Sequence, residues 1–309
     1  MNLIEQLFEI FFKLLENGLK YFLELSKDVI SATPRRNKEF QADFASAGIL
    51  LSSRQEGFCL TGRRNLSIKD SYQNALIVGG TGVGKSSVVL IPSLYTMSSS
   101  FIVHDPSGEL LSKSGGYLQQ KNYEVKVLNF ANAEVSAGYN PLSRTKNSSD
   151  IQKVASMLIK GALGESAKDP FWTLQSIALL TILITILKKQ DEQYQNLFNV
   201  RHLLNQLGSD PEAVDSLFSR DADDTLFAEY KSFLSYDDKV ISGVIASCKA
   251  ALQIFSDDFV AQVTSLDTIN FQSFRDKPTA LFIQNSVADQ KYYSPLSSLF
   301  FEQFFSFAL

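Results

Sequence analysis

The chain has little cysteine, histidine or tryptophan, and these shortages narrow the chemistry it can perform. Its 309 residues include two cysteines, two histidines and one tryptophan. Cys59 and Cys248 cannot build a disulfide framework or a zinc site, and such low cysteine usage fits a reducing compartment. His104 and His202 are too few for a histidine metal site or a histidine-based catalytic triad.

A basic excess is also missing. The net charge is −4 and the isoelectric point is about 5.4, whereas a protein that wraps duplex DNA by itself normally carries a surplus of Lys and Arg. Any contact with nucleic acid must therefore come from a local patch. The hydrophobic fraction of 45% and the charged fraction of 20% are typical of a globular chain, and the length corresponds to one large domain or two ordinary ones.

No stretch of the sequence is expected to form a transmembrane helix. Residues 1–33 are predicted to form an amphipathic helix, for which packing on its own domain or on a partner helix is favoured over peripheral membrane contact. Its polar face is formed by charged residues that recur every three or four positions, namely Glu5, Glu9, Lys13, Glu16, Lys20, Glu24 and Lys27. The most apolar stretch, residues 171–187, is short for a span and contains Gln175 and Ser176, so it predicts a buried helix.

The hydrophobic pattern predicts an α/β domain that is interrupted by a helical one. Short apolar runs alternate with helical stretches and indicate βαβ units in a parallel sheet. The predicted strands are residues 75–78, 101–103, 125–128 and 279–284, with a short hairpin strand near 57–62. Between Asp150 and Asp267 the strand-like runs disappear, and helical periods cover 151–163, 171–189, 197–207, 212–218 and 240–255.

A phosphate-binding loop follows the first of these apolar runs. Gly79-Gly80-Thr81-Gly82-Val83-Gly84-Lys85-Ser86 matches the pattern G-x-x-x-x-G-K-[ST] between a predicted strand and a predicted helix. Glycines let backbone N–H groups approach phosphate oxygens, and the helix directs its positive end at the anion. Lys85 would reach the β- and γ-phosphates, Ser86 would ligate Mg²⁺, and the adjoining Ser87 is included among the residues expected to bind nucleotide.

An acidic residue that could position water is harder to find. Hydrolytic enzymes of this type carry a second strand that ends in Asp, often followed by Glu. The only approximate match is Phe101-Ile102-Val103-His104-Asp105, where Pro106 follows. Asp105 is therefore a candidate catalytic residue beside Lys85, whereas Glu109 is interpreted as a carboxylate in the first turn of a helix.

Five segments, in order, make the chain similar to the type IV coupling proteins, the TraG/TraD family of conjugative DNA-transfer ATPases. The segments are Gly79–Ser86, Val103–Leu110, Tyr139–Leu142, Asp169–Trp172 and Phe274–Pro278. This resemblance implies an α/β fold with a RecA-like nucleotide-binding domain, interrupted by an all-helical domain. The corresponding boundaries are 40–148 with 271–309 for the nucleotide-binding domain and 149–270 for the all-helical domain.

The resemblance also implies a function. Members of the family use ATP and Mg²⁺ to move single-stranded DNA and its attached relaxase into a type IV secretion channel, and they assemble as hexamers at the inner membrane. For this chain it implies partners among relaxosome and channel proteins, and a cytoplasmic location or a peripheral one at the inner membrane.

Three departures from the family pattern leave a second function open. Ser107 stands where many members have Lys, the usual N-terminal transmembrane helices are missing, and the Asp-Glu strand of the family would follow the last predicted helix, beyond Leu309. The sequence therefore predicts a C-terminally incomplete nucleotide-binding domain with an open sheet edge and slow or absent hydrolysis. The alternative function is a non-catalytic module that docks relaxosome or secretion-channel proteins.

Overall fold

A computed structural model describes residues 46–164 and 170–308. The chain divides into two units, Met1–Leu50 and Leu51–Leu309. In the first unit the described part contains one helical turn, α1 (Ala47–Leu50). The predicted amphipathic helix at 1–33 lies outside the described residues.

The second unit begins and ends with mixed α/β structure. Its elements up to the second strand are α2 (Ile68–Ser71), a π-helical segment (Lys85–Leu90) that continues as α3 (Ile91–Thr96), β1 (Phe101–His104), α4 (Glu109–Gln120) and β2 (Glu124–Leu128). After the helical part come α12 (Ser273–Asp276), β3 (Thr279–Ile283) and α13 (Gln290–Ala308).

Helices fill the stretch between β2 and α12. They are a 3₁₀ turn (Pro141–Arg144), α5 (Ser148–Leu163), α6 (Pro170–Leu187), a 3₁₀ turn (Glu192–Tyr194), α7 (Leu197–Ser209), α8 (Pro211–Asp221), α9 (Asp224–Leu234), α10 (Asp238–Ala251), a 3₁₀ turn (Gln253–Ser256) and α11 (Asp258–Ser265). The helices predicted here all form, whereas α9 and α11 were not predicted.

The three strands form one parallel sheet in the order β1-β3-β2. Phe101 aligns with Ala280 on one side of β3, and Glu124 aligns with Thr279 on the other. All five residues of β3 are buried. The central strand of the sheet therefore comes from the far side of the helical part, about 150 positions after β2 in the sequence.

Alternating side chains of β3 enter two different cores. Ala280 and Phe282 pack with Leu94 of α3 and Leu110 of α4 on one face of the sheet. Leu281 and Ile283 belong to the larger core, which also contains α13 and the helical part. Because successive side chains of a strand point to opposite faces, the apolar run of β3 is what a strand covered on both faces requires.

The strand predicted at residues 75–78 does not form. Leu76 is 89% exposed and Val78 is 86% exposed, and the segment has no strand partner in the described ranges. A strand needs a neighbour to pair its backbone groups, and an apolar run alone does not supply one. The short hairpin near 57–62 does occur, as backbone hydrogen bonds from Gly57 to Leu66 and from Leu66 to Phe58, without a regular strand.

Side-chain caps set the starts of most helices between β2 and α12. The amide three residues into the helix donates to the cap's side-chain oxygen, which satisfies a backbone N–H that has no partner within the helix. The capping residues are Asn147, Asn196, Asp210, Asp223, Asp237 and Asp257. Each of these six helices therefore begins at a residue that the sequence itself marks.

Helix α6 lies at the centre of the helical part. It is apolar on all sides, as helices buried by their neighbours are, and its core residues include Leu179, Leu183 and Ile186. Among the described residues it is the one helix with the length and composition to cross a membrane, yet half of it is buried inside the protein. Its packing is that of a core helix, as its polar residues predicted.

Two adjacent segments join the helical part to the sheet. Tyr139 N–H donates to the carbonyl of Val263, and the amides of Thr268 and Ile269 donate to the carbonyl of Gly138. A Cβ on Gly138 would lie 2.6 Å from the carbonyl oxygen of Leu266, so only glycine permits this approach. The outgoing and returning chains are therefore held side by side.

Arg144 fixes this junction. Its guanidinium lies 5.0 Å from the ring centroid of Tyr139 and 4.1 Å from that of Phe271. It also donates to the carboxylate of Asp267 at 2.7 Å and to the carbonyls of Asn140 and Ile269. Burial raises the pKa of Asp267 even though Arg144 stands beside it. The guanidinium of Arg144 thus contacts both the outgoing and the returning segment of the junction.

Replacing Arg144 with Met should lower the free energy of unfolding by about 2–4 kcal/mol, because Asp267 and two backbone carbonyls lose their partner. Urea denaturation measures this change. Arg220→Met is the control: Arg220 pairs with Asp221 but its side chain is 69% exposed, so its effect on the free energy of unfolding should be negligible beside that of Arg144→Met. An equal decrease in the free energy of unfolding in both variants would contradict the role of Arg144 in holding the junction.

Trp172 gives a second test of packing in the helical part. A Cβ on Gly243 would lie 2.6 Å from Cζ3 of the Trp172 indole, so Gly243→Ala should cost about 1–3 kcal/mol and shift the fluorescence of the only tryptophan. A Cβ on Gly116 meets nothing within 4 Å. Gly116→Ala in α4 should therefore stabilise by up to about 1 kcal/mol. If Gly243→Ala left the free energy of unfolding unchanged, the packing of residue 243 against the Trp172 indole would be loose.

Candidate nucleotide site

The loop at Gly79–Ser86 has the backbone conformation that its glycines allow. Gly82 has φ 80° and Gly84 has φ 92°, both in the left-handed region that disfavours other residues. Gly84 directly precedes the helical segment that starts at Lys85. The loop therefore turns abruptly into the amino end of a helix, as a phosphate cradle requires.

The ammonium group of Lys85 folds back over the loop. Its Nζ donates to the carbonyls of Gly79 and Gly80, at 2.7 Å each. The first-turn amides of Lys85 and Ser86 have no acceptor in the described part of the chain. These groups place one positive charge and free N–H donors on a partly exposed surface, where an anion can reach them.

The residues present suit Mg²⁺ only together with a phosphate. Within the described ranges no group of three His, Cys, Asp or Glu side chains could hold a metal ion. The Ser86 hydroxyl has no hydrogen-bond partner there, whereas Ser87 Oγ donates weakly to the carbonyl of Gly84 at 3.4 Å. Mg²⁺ commonly takes one or two protein oxygens and completes its shell with phosphates and water, so a single serine fits.

Asp105 holds the amino end of α4. It is buried, and its Oδ1 and Oδ2 accept from the amides of Leu110 and Leu111 at 3.2 and 2.9 Å. Its own N–H donates to the carbonyl of Ile283 at the end of β3. A carboxylate in this position is stabilised by the helix amides and dipole. No hydrogen bond or ion pair joins Asp105 to the loop in the described ranges, so its catalytic role stays a prediction.

Other polar groups lie at the carboxyl ends of the strands, where open α/β sheets bind ligands. His104 is exposed there, and Gln284 follows β3. A Cβ on Gly108, which has φ 71°, would lie 3.2 Å from Gln284 Nε2, so the amide of Gln284 sits directly over the turn into α4. In the sequence this strand ends without an acid, and no local pattern marks Gln284 as a site residue. Glu109 forms the predicted first-turn carboxylate and pairs with Lys113.

Together these features define an α/β protein that carries a P-loop. The family profile for conjugative DNA transfer by the type IV secretory system matches residues 32–309. The chain therefore belongs to this family. Conjugal transfer protein TraG of Escherichia coli is 23% identical over 245 residues, which make up 72% of this chain and 38% of TraG.

Solved structures of the coupling protein TrwB share the fold. Unbound TrwBdeltaN70 superposes with a TM-score of 0.59 at 19% identity, over 84% of this chain and 57% of that one. TrwB in complex with ADP and Mg²⁺ gives 0.59 at 18% identity, over 84% and 58%. TrwB with a non-hydrolysable ATP analogue gives 0.56 at 18% identity, over 83% and 58%. The chain thus spans less than two thirds of each relative, and its expected RecA-like fold with a helical part is confirmed.

Replacing Asp105 with Ala separates a structural role from a catalytic one. Loss of two charge-assisted hydrogen bonds should lower the free energy of unfolding by about 1–3 kcal/mol. Glu109→Ala removes an exposed carboxylate from the same helix and should change stability by at most about 0.5 kcal/mol. Thermal or urea unfolding measures both. Unchanged stability of Asp105→Ala, with a large loss of nucleotide turnover, would instead favour catalysis.

Proposed function

We propose that this chain is the nucleotide-binding part of a type IV secretion coupling protein. It would link ATP binding and hydrolysis to conjugative transfer of single-stranded DNA and its relaxase. The observation that carries the proposal is the loop before Lys85, where two left-handed glycines, a folded-back ammonium and free helix amides form a phosphate cradle. Membership of the conjugative DNA transfer family supports the choice of process.

Different residues of the loop would contact different parts of the bound nucleotide. The amides from Gly80 to Lys85 would bind phosphate oxygens, and Lys85 would exchange its contacts with the Gly79 and Gly80 carbonyls for the β- and γ-phosphates. Ser86 would bind Mg²⁺ and Ser87 would lie beside the phosphates. Bound Mg²⁺ supplies charge neutralisation at the phosphates.

The family also supports proposals about partners. These are single-stranded DNA, relaxase or other relaxosome proteins, channel components of the secretion system and further copies in a hexamer. We propose a cytoplasmic location or a peripheral one at the inner membrane. The exposed Arg63 and Arg64 form a basic cluster, which a solvated surface explains better than a DNA site does.

A non-catalytic docking module is the second candidate function. It is favoured by the position of Asp105, since both its oxygens are already bound to the amides of α4. If no other acid orients water, the loop holds nucleotide without turning it over. The helical part would then provide the docking surface for relaxosome or channel proteins.

Lys85→Ala should abolish nucleotide binding. In the unchanged chain, Mg-ATP at 100 times its Kd should stabilise the fold by about 2.7 kcal/mol, seen as a rise in Tm, and Lys85→Ala should show no rise. Lys69→Ala, an exposed lysine outside the loop, is the matched control and should behave like the unchanged chain. No Tm change in the unchanged chain would overturn the nucleotide site.

ATP turnover then separates the two functions. Phosphate release that rises with single-stranded DNA and disappears in Lys85→Ala supports the motor. Binding without phosphate release, with and without DNA, supports the docking module.

A further inference from the structure

The hairpin at residues 57–66 packs along the helix that follows the phosphate loop. Ser93 of α3 is buried, and its hydroxyl accepts a hydrogen bond from the Cys59 N–H at 2.9 Å. The same hydroxyl donates to the carbonyl of Val89 at 2.7 Å, with the carbonyl of Cys59 at 3.2 Å. One small polar side chain thus holds the incoming arm of the hairpin against the helix.

The tip of this hairpin points towards the phosphate loop. Gly62, at the turn, has φ 74°, and a Cβ there would lie 3.5 Å from the carbonyl oxygen of Val88. From the contact at Ser93 to the contact at Val88, the hairpin follows the helix back towards its start by about 7.5 Å, at about 1.5 Å of rise per residue. Val88 comes three positions after Lys85. The hairpin tip therefore lies beside the first turn of the helix.

The side chain of Val88 separates the hairpin tip from the phosphate loop. Its Cγ1 would lie 3.8 Å from a Cβ on Gly62, and its Cγ2 would lie 3.1 Å from a Cβ on Gly84. Gly84 directly precedes the helical segment, and its φ of 92° sets the turn into that segment. The hairpin tip and the phosphate loop are therefore neighbours across a single valine side chain.

Two guanidinium groups stand at this tip. Arg63 and Arg64 directly follow Gly62 and are exposed. The N–H of Arg64 donates to Thr61 Oγ1 at 3.1 Å, and its carbonyl accepts from the Leu60 N–H at 3.2 Å. Neither guanidinium has a hydrogen bond or an ion pair in the described part of the chain. The turn is thus held in place while both side chains stay available for an anion.

We propose that Arg63 and Arg64 bind the phosphates of the nucleotide held by the loop of the same chain. This inference rests on the proposed function and assigns further binding residues to that site. The loop supplies one side-chain cation, Lys85, whereas a nucleoside triphosphate carries several negative charges. Arginine offers a planar fork of donors that matches phosphate oxygens. Arginines that only solvate the surface would have no effect on nucleotide affinity, so the two roles differ in a measurable way.

The affinity for Mg-ATP tests this role. In the double variant Arg63→Gln/Arg64→Gln, the Kd measured by calorimetry should rise by about tenfold or more, because charge-assisted hydrogen bonds to phosphate are lost. Added salt should weaken binding less in this variant than in the unchanged chain, since fewer ionic contacts remain to be screened. The Tm without nucleotide should stay the same, because exposed arginines contribute little to stability.

Two further variants make the test specific. Arg54→Gln removes an exposed arginine near Ser52, which pairs with Asn65 at the end of the hairpin opposite the tip, and it should bind Mg-ATP like the unchanged chain. Arg63→Lys/Arg64→Lys keeps both charges and should bind more tightly than the glutamine double variant, though less tightly than the unchanged chain.

The outcomes separate this inference from the proposed function. Equal Kd values for the glutamine double variant and for Arg54→Gln would overturn the role of the two arginines and leave the nucleotide site in place. A lysine double variant as weak as the glutamine one would also overturn it, because charge would then not be what binds. No Mg-ATP binding in the unchanged chain would overturn the proposed function, and this inference with it.

Discussion

The position of β3 between β1 and β2 is the constraint on which the rest of the structure depends. All the backbone pairing of the sheet passes through this strand, and its side chains enter both cores. The whole helical part lies between β2 and β3 in the sequence. Contacts of such sequence separation are costly in loop-closure entropy, so the junction that holds the two crossing segments together carries much of the cooperativity.

The junction explains why a cation is half-buried at this point. Arg144 offers a planar fork to three acceptors and two flat faces to aromatic rings, a combination that Lys cannot reproduce. Tyr139 extends the network to α13 by donating to Gln303, which donates in turn to the carbonyl of Pro141. A displacement of the helical part would therefore strain the helix that covers the sheet.

Much of this architecture could be predicted from the sequence because local signals agreed with the final packing. The predicted helix at 109–120 and strands near 101, 125 and 279 form within one or two residues, since caps, periodicity and apolar runs all indicated the same elements. The phosphate loop was equally readable, because its glycines are needed for local backbone reasons.

What the sequence did not show depends on contacts distant in the chain. Residues 75–78 have the composition of a strand, but pairing decides whether a strand exists. The order β1-β3-β2 and the role of Arg144 both depend on the return of the chain to the sheet at residue 279. No local sequence pattern predicts the strands between which β3 inserts. The sequence predicts a catalytic role for Asp105 because it follows a strand, and that role stays a prediction. Its burial beneath the amides of α4 is visible only in three dimensions.

Phosphate binding and phosphate hydrolysis make different demands on this fold. Binding needs only the loop, the ammonium and the helix amides, all of which belong to one continuous segment and form together. Hydrolysis needs in addition a carboxylate held beside the γ-phosphate in a fixed orientation. The candidate for this carboxylate is Asp105, which directly follows β1, and both its oxygens already accept hydrogen bonds from amides of α4.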